Sequence, residues 1–398
     1  LRLIALLITT LLFVGCSSSD DMNEQVQNSS NFSVIDYNPK ETYTAEEVTI
    51  QTEGLDPTAT IEVHFSGVKS DKVSINGNAI VARVPRNSSS GDLTITMNGN
   101  ENIAGTISIT EETDDFYIAY EDSPDEPFSL ISFRPYDIGN DMVGDPLFNM
   151  TQIGPFVSNI EVSKSKNLLY FANSVDCGQT GGCFGEGYLY DLSNNEKIET
   201  FPIFSDAVSF SRSIISTFED AFFWISRNND PIDMSRTFVK YNLDTGLVEQ
   251  TIDLIAQGDP KMPLQVFLPE TNEIVGFWFG NNKYGRTSLD TFQYVEYTKD
   301  HYIKNLNITS EGKLIGNSYL DSQLVEIDKI NGDVLDIIYA TGYTIQSWEY
   351  SSSTGRYFIL EKCCANEPRS RLNIYNPTNG VTTLLSDNLE ILGIFSNN

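Results

Sequence analysis

Positive charge is what this chain has least of. Its 398 residues hold 25 Lys and Arg against 55 Asp and Glu, a formal net charge of −30. Nucleic acid requires a basic footprint, so that class of partner is excluded. Adhesion to anionic lipid by charge alone is excluded for the same reason. Histidine is scarcer still: His64 and His301 are the only two. Multi-histidine metal centres are thereby ruled out, and a Ser–His–Asp triad has little to draw on. No Gly-rich loop follows a strand to open a helix, which removes the usual phosphate cradle, and no amphipathic helical period is evident. No cofactor is implied.

Aromatic residues, by contrast, are abundant, with 23 Phe and 19 Tyr, and apolar residues make up 40% of the chain. Such side chains fit the pleated, half-buried surface of a sheet. A strand–turn–strand unit recurs through the last two-thirds: Tyr188–Thr200, Phe238–Gln250, Leu324–Asp336 and Leu372–Leu384. Each has an apolar or aromatic run, an Asp or Asn, a turn dipeptide and a second apolar run. The fold class expected is all-β, and the length suggests two or three domains.

Residues 1–15 read as a signal peptide, with Arg2 before the apolar run Leu3–Val14. That run is too short to span a bilayer and suits a signal h-region. The segment Phe13-Val14-Gly15-Cys16 resembles the bacterial lipobox, with Phe13 in place of the usual Leu. The resemblance implies lipidation of Cys16 and anchoring to the outer membrane, since two or more acyl chains suffice for stable attachment. Ser17-Ser18-Ser19-Asp20-Asp21 opens a polar tether over 16–30. It is similar to the surface-export signal of Bacteroidetes lipoproteins. A plain flexible linker is the alternative reading.

Residues 31–112 alternate with period two at Val48/Ile50, Ile61/Val63/Phe65, Ile80/Ala82/Val84, Leu93/Ile95/Met97 and Ile107/Ile109. Turn signals separate them at Gly54, Ser66-Gly67, Asn76-Gly77, Ser90-Gly91 and Asn98-Gly99. Several short strands without a helical period predict a small Ig-like β-sandwich. The stretch resembles the IPT/TIG family through Ile35, Pro39, Val48-Thr49-Ile50, Gly54-Leu55, Val63, Phe65, Gly67, Val84-Pro85, Gly91 and Asn98-Gly99. The glycines usual near the start of that family are replaced by Tyr43-Thr44-Ala45. The resemblance covers about one-fifth of the chain and implies a spacer or part of a surface binding protein. His64, between Val63 and Phe65, reads as a solvent-facing strand residue.

After the acidic boundary Thr110–Asp115, strands come in groups of four. The groups cover 157–203, 207–254, 264–297, 303–339 and 344–385. Three strands at 116–150 and one at Leu389–Phe395 complete a sixth from both ends. Self-similar groups of this length predict a β-propeller over 116–398, six-bladed, with seven blades as the alternative. It is loosely similar to NHL-like six-bladed propellers. With strands lettered A to D from the axis outward, the A–B and C–D turns are short and share one face. The B–C connections Asn173–Glu186, Arg227–Arg236, Gly280–Ser288 and Lys362–Ser370 read as long loops on the other face. Binding residues concentrate on such loops.

Four of the five cysteines fall there: Cys177, Cys183 and the adjacent Cys363 and Cys364. An even count in an exported chain implies disulfides. Cys177–Cys183 with a vicinal Cys363–Cys364 bridge is the simplest pairing, and cross-pairing and zinc remain alternatives. The ligand-binding candidates on this face are Phe184, Arg227, Asn228, Arg236, Trp278, Asn281, Asn282, Tyr284, Arg286, Trp348, Glu361 and Arg369, with Trp224 and Arg371 nearby. Rings that stack on sugars beside polar groups that read hydroxyls suit a glycan, and they suit a protein partner equally. His301 reads as a surface residue. No catalytic residue is assigned. The expectation is a non-catalytic, lipid-anchored surface protein that binds an extracellular glycan. A propeller glycosidase or lyase and an adhesion protein with a surface-protein partner are the rival classes.

Overall fold

The computed structural model describes residues 32–396, apart from 123–129, 152–156, 164–166, 178–181, 207–213, 216–220, 228–235, 259, 264, 279–281, 319–320 and 363–369. The expected signal peptide, Cys16 and the whole of the tether lie outside the described residues. Among the described residues the chain is all-β, with no helix.

The first two sheets face each other as a sandwich. One runs in the order Ser33–Asn38, Glu47–Glu53, Ala79–Arg83, Val73–Asn76. The other runs Glu41–Tyr43, Asn100–Thr110, Gly91–Met97, Ile61–Phe65, Val68–Lys69. The period-two positions fill the space between them: Val48, Ile50, Val63, Phe65, Ile80, Ala82, Leu93, Ile95 and Ile107 are all buried. His64 points to the opposite face from Val63 and Phe65 and is half-buried. The turns form where expected, with positive φ at Gly54, Ser66, Gly67, Gly77, Asn98 and Gly99.

Six further sheets follow among the described residues. Five are antiparallel meanders of four strands in chain order, each opening with its inner strand: Val157–Ser163, Ile214–Ile215, Val266–Leu268, Ile303–Ile308 and Thr344–Tyr350. These are blades 2 to 6. Blade 1 is closed by both ends of the propeller. Phe116–Glu121 lies between Leu130–Asp137 and the C-terminal Ile391–Ser396, with Phe116 opposite Ser396 and Ile118 opposite Ile394. Such closure pairs the edge that Phe116–Glu121 would otherwise leave open. The core lies between blades: Phe116 and Ile118 of blade 1 pack on Phe358, Leu360 and Leu372 of blade 6.

The recurring hairpin is the C–D pair of each of four blades, and its motif has a physical reading. Asp191, Asn242 and Asn376 end the first strand and Asp328 directly follows it, and each side-chain oxygen accepts an N–H two residues on. This is the Asx-turn. Asn195, Gly246, Gly332 and Gly380 then take positive φ. Gly246, Gly332 and Gly380 donate back to the carbonyl of the opening Asx residue at 2.8–3.0 Å. Gly332 admits no side chain, because a Cβ there would lie 2.4 Å from the Tyr284 ring.

The sandwich docks on the turn-bearing face, over blades 6 and 1. Arg356, just past the A–B turn of blade 6, is fully buried. Its guanidinium donates to the Thr44 carbonyl at 3.1 Å, pairs with Glu112 at 3.4 Å and lies 3.7 Å from Glu46. Glu112, also fully buried, accepts from Ser351 at 2.8 Å and Thr354 at 2.7 Å. Burying two charges is tolerable only with such complete pairing. Beside blade 1, Arg86 pairs with Asp115 at 2.7 Å and Lys72 with Asp141 at 3.2 Å. The B–C and D–A connections therefore lie on the face away from the sandwich.

Two of the four expected long B–C loops are corrected. Blade 2 carries an extended hairpin: Leu168–Cys177 and Gly182–Asp191 continue the ladder to Cys177 opposite Cys183. In blade 4, Glu273–Trp278 pairs with Lys283–Ser288 up to Trp278 opposite Lys283, so most of Gly280–Ser288 is strand. The polar composition hid this strand. Its buried Tyr284 and Thr287 find backbone acceptors at Lys329 and Lys261 instead of apolar neighbours alone.

Candidate functional site

The inner strands share an irregularity at one end. Register shifts fall between Val157 and Asn159, between Lys304 and Asn307, and between Ile345 and Ser347. In blade 1 the shift skips Leu392. Each is a β-bulge within the first residues of an inner strand, hence at the channel mouth on the face away from the sandwich. In blade 4 the side chain of Gln265 replaces the ladder there. Its carboxamide accepts from Phe277 N–H at 2.9 Å and donates to the Phe277 carbonyl at 3.2 Å. Bulges re-aim side chains and gather at barrel rims and sites.

These positions in blades 5, 6 and 1 are linked around the mouth. Asn305, exposed and at φ 49°, donates from Nδ2 to the Gln346 carbonyl at 2.7 Å. Trp348 donates from Nε1 to the Asn305 carbonyl at 2.9 Å. Ser347 accepts from the Ile394 N–H at 3.0 Å, and Ser370 donates to the Ile391 carbonyl at 2.8 Å. Gln346 is half-exposed, and Leu392 is exposed. Lys304 stands at the same rim, and burial pushes its ammonium below the ordinary lysine range. Just outward, the Arg371 guanidinium lies over the Tyr343 ring at 4.8 Å. The mouth thus presents carboxamides, an ammonium, and an aromatic–guanidinium pair, groups that recognise hydroxyls and acids by hydrogen bonding.

The sequence candidates divide into three groups. Tyr284, Trp348 and Glu361 are buried and committed internally, so they offer no surface to a ligand. Tyr284 Oη donates to the Lys329 carbonyl at 2.8 Å, and Glu361 accepts from Tyr339 at 2.8 Å and Asn373 at 2.9 Å. Arg286 is turned towards the next blade, paired with Glu273 and donating to the Ile330 carbonyl at 3.0 Å. Trp278 is half-buried, its Nε1 donating to Tyr294 Oη at 2.8 Å, and Asn282 sits in the tight turn at φ 47°. For the second group the backbone alone is described: Phe184 lies opposite Asp176, Arg227 opposite Arg236, and Trp224 opposite Val239. Asn228, Asn281, Cys363, Cys364 and Arg369 lie outside the described residues.

His301 differs from its expected surface role. It is half-buried, with Nε2 shielded from solvent and its ring 6.2 Å from Phe277. Among the described residues, no group of three or more His, Cys, Asp and Glu is placed to hold a metal ion.

Sequence reasoning passed over Lys304, Asn305, Gln346 and Leu392. A signal was present. Buried residues in three bulged inner strands are spaced three and then two: Ile303/Leu306/Ile308, Ile345/Trp348/Tyr350 and Ile391/Ile394/Ser396. A regular strand repeats every two, so one extra residue marks the bulge.

No family model matches this chain, and no curated protein matches it. Similar solved structures include a protein of unknown function from Bacteroides thetaiotaomicron, 12% identical, covering 89% of this chain and 86% of that one with a TM-score of 0.42. An auxiliary nutrient binding protein from the same organism is 13% identical over 88% of this chain and 84% of that one, with a TM-score of 0.36. A protein of unknown function from Bacteroides caccae is 9% identical over 71% and 99%, with a TM-score of 0.48. Likeness at this level implies neither a shared ligand nor a shared activity.

Proposed function

We propose that this chain is a lipid-anchored outer-membrane protein, displayed at the cell surface, that binds an extracellular glycan without cleaving it. Cys16 carries the lipid, residues 16–30 form the tether, and the sandwich over 31–112 acts as an IPT/TIG-like spacer for the propeller. The carrying observation is the set of bulges at one end of the inner strands of blades 1, 2, 5 and 6, on the face away from the sandwich. A spacer that docks on the opposite face holds this mouth outward. Asn305, Gln346, Lys304 and the Tyr343–Arg371 stack supply the hydroxyl-reading and ring-stacking groups.

A bridge between Cys177 and Cys183 would fix the extended hairpin beside the mouth. The register supports it, since directly opposed residues have Cα atoms about 4.5–5.5 Å apart and disulfides span about 4.4–6.8 Å. Peptide mapping without reduction is expected to recover that pair joined.

Affinity gel electrophoresis against a panel of polysaccharides tests the function. Retardation by at least one polysaccharide, lost in the Asn305→Ala/Gln346→Ala variant and unaccompanied by new reducing ends, is the expected outcome. Release of reducing ends would move the protein to the glycosidase or lyase class. Retardation unchanged in the double variant would move the site away from the mouth.

A further inference from the structure

A second site lies between the sandwich and blade 6, on the side opposite the channel mouth just described. A cleft of about 870 Å³ opens there. One wall is the run Val381–Asp387, seven successive residues of the outermost strand of blade 6. Successive strand side chains point to opposite faces of a sheet. A groove that touches all seven must therefore follow the backbone edge rather than either face. The other wall comes from the sandwich and includes Glu41, Tyr43 and Glu47.

The charge of the cleft is lopsided. Glu41, Glu46, Glu47, Asp141 and Asp387 line it, with Arg83 as the one cation among the lining residues. Arg83 shows what this wall accepts. Its guanidinium donates to the edge carbonyls of Leu385 at 3.0 Å and Leu384 at 3.4 Å. Glu47 and Asp141 flank it at 3.9 and 4.0 Å. Lys72 also reaches Asp141, at 3.2 Å. Glu41 and Asp387 are exposed and pair with no cation among the described residues. On either side of Arg83, the edge carries Val381 and Thr382 towards one end and Asp387 towards the other, all exposed.

We infer that this cleft is a docking groove for an extended, basic segment of a partner protein. The segment adds along the outer edge of blade 6 by backbone hydrogen bonds, and its Lys or Arg side chains meet Glu41 and Asp387. Edge addition supplies affinity through the main chain, and the side pockets supply selectivity. A second copy of this chain is a poor occupant, since each copy carries a net charge of −30.

The test uses the full chain and three fluorescein-labelled decapeptides, read by fluorescence anisotropy. One alternates Lys with Thr, one alternates Lys with Pro, and one alternates Glu with Thr. The Lys–Pro peptide keeps the charge and loses every second N–H donor. The Lys–Thr peptide is expected to bind, the Lys–Pro peptide about tenfold more weakly, and the Glu–Thr peptide not at all. Glu41→Gln/Asp387→Asn is expected to weaken the Lys–Thr peptide by about tenfold with thermal unfolding unchanged, both residues being exposed. Equal binding of the Lys–Pro peptide would reduce the effect to polycation adhesion and overturn the inference. So would binding unchanged in the double variant, or no binding of the Lys–Thr peptide. The Asn305→Ala/Gln346→Ala variant is expected to bind the Lys–Thr peptide normally.

Discussion

The two faces of the propeller are built on opposite principles. The face under the sandwich uses short turns, four of them closed by an Asx side chain and a residue at positive φ, and at the junction Glu112 and Arg356 are buried and paired. The outward face interrupts its own ladders, and it leaves Asn305, Gln346 and Leu392 open at the channel mouth. Regularity on one side supports stability, and irregularity on the other creates surface with shape and hydrogen-bonding capacity. Substitutions on the two faces should therefore separate into losses of folding and losses of binding.

The largest loss is expected at the junction. Arg356→Leu leaves Glu112 buried without its cation and should lower the unfolding free energy by about 3–5 kcal/mol in urea titrations. A change below about 1 kcal/mol would erase the contrast between the faces.

The same junction should respond to pH. Burial, followed by the neighbouring Glu112 charge, pushes Asp114 up to about 6. Its folded pKa lies above the ordinary value, so folding favours the neutral acid. That contribution is complete below about pH 4 and is lost as the pH rises through 6. The parent protein should therefore lose stability across this window by at most about 1.4 kcal/mol per pH unit relative to Asp114→Asn. Parallel stability profiles for the two proteins would remove Asp114 as the cause.

Gly332→Ala comes next, as it places a Cβ at φ 81° and against the Tyr284 ring. A loss of about 1–3 kcal/mol is expected by thermal unfolding. The smallest effect on folding should come from the outward face. Asn305→Ala removes one exposed hydrogen bond and places Ala at φ 49°, together worth about 1–2 kcal/mol, and it should weaken the polysaccharide retardation expected under the proposed function.

Local interactions were the readable ones. Each of the four recurring C–D hairpins is specified within about a dozen residues by an Asx, a turn dipeptide and flanking apolar runs. The closure of blade 1 was readable too, because three leading strands and one trailing strand had no other partners. The site was less so. Tyr284, Trp348 and Glu361 have the composition of binding residues, yet each is committed to a hydrogen bond with the adjacent blade: Tyr284 to Lys329, Trp348 to Asn305 and Glu361 to Tyr339. The acidic stretch Thr110–Asp115 read as a domain boundary with no packing role, yet Glu112 is fully buried. Its partner Arg356 stands 244 positions later, beyond the reach of any local pattern.

Alternation, turn chemistry and repeat length were enough to specify an all-β chain of a sandwich and a propeller, because each depends on residues a few positions apart. Which face the sandwich covers, and hence which mouth is open, depends on ion pairs and hydrogen bonds between residues hundreds of positions apart, such as Arg83 with Leu385 and Arg356 with Glu112. Contacts of that span leave no periodic trace in the chain, so they exist only once the blades have closed and brought both ends together.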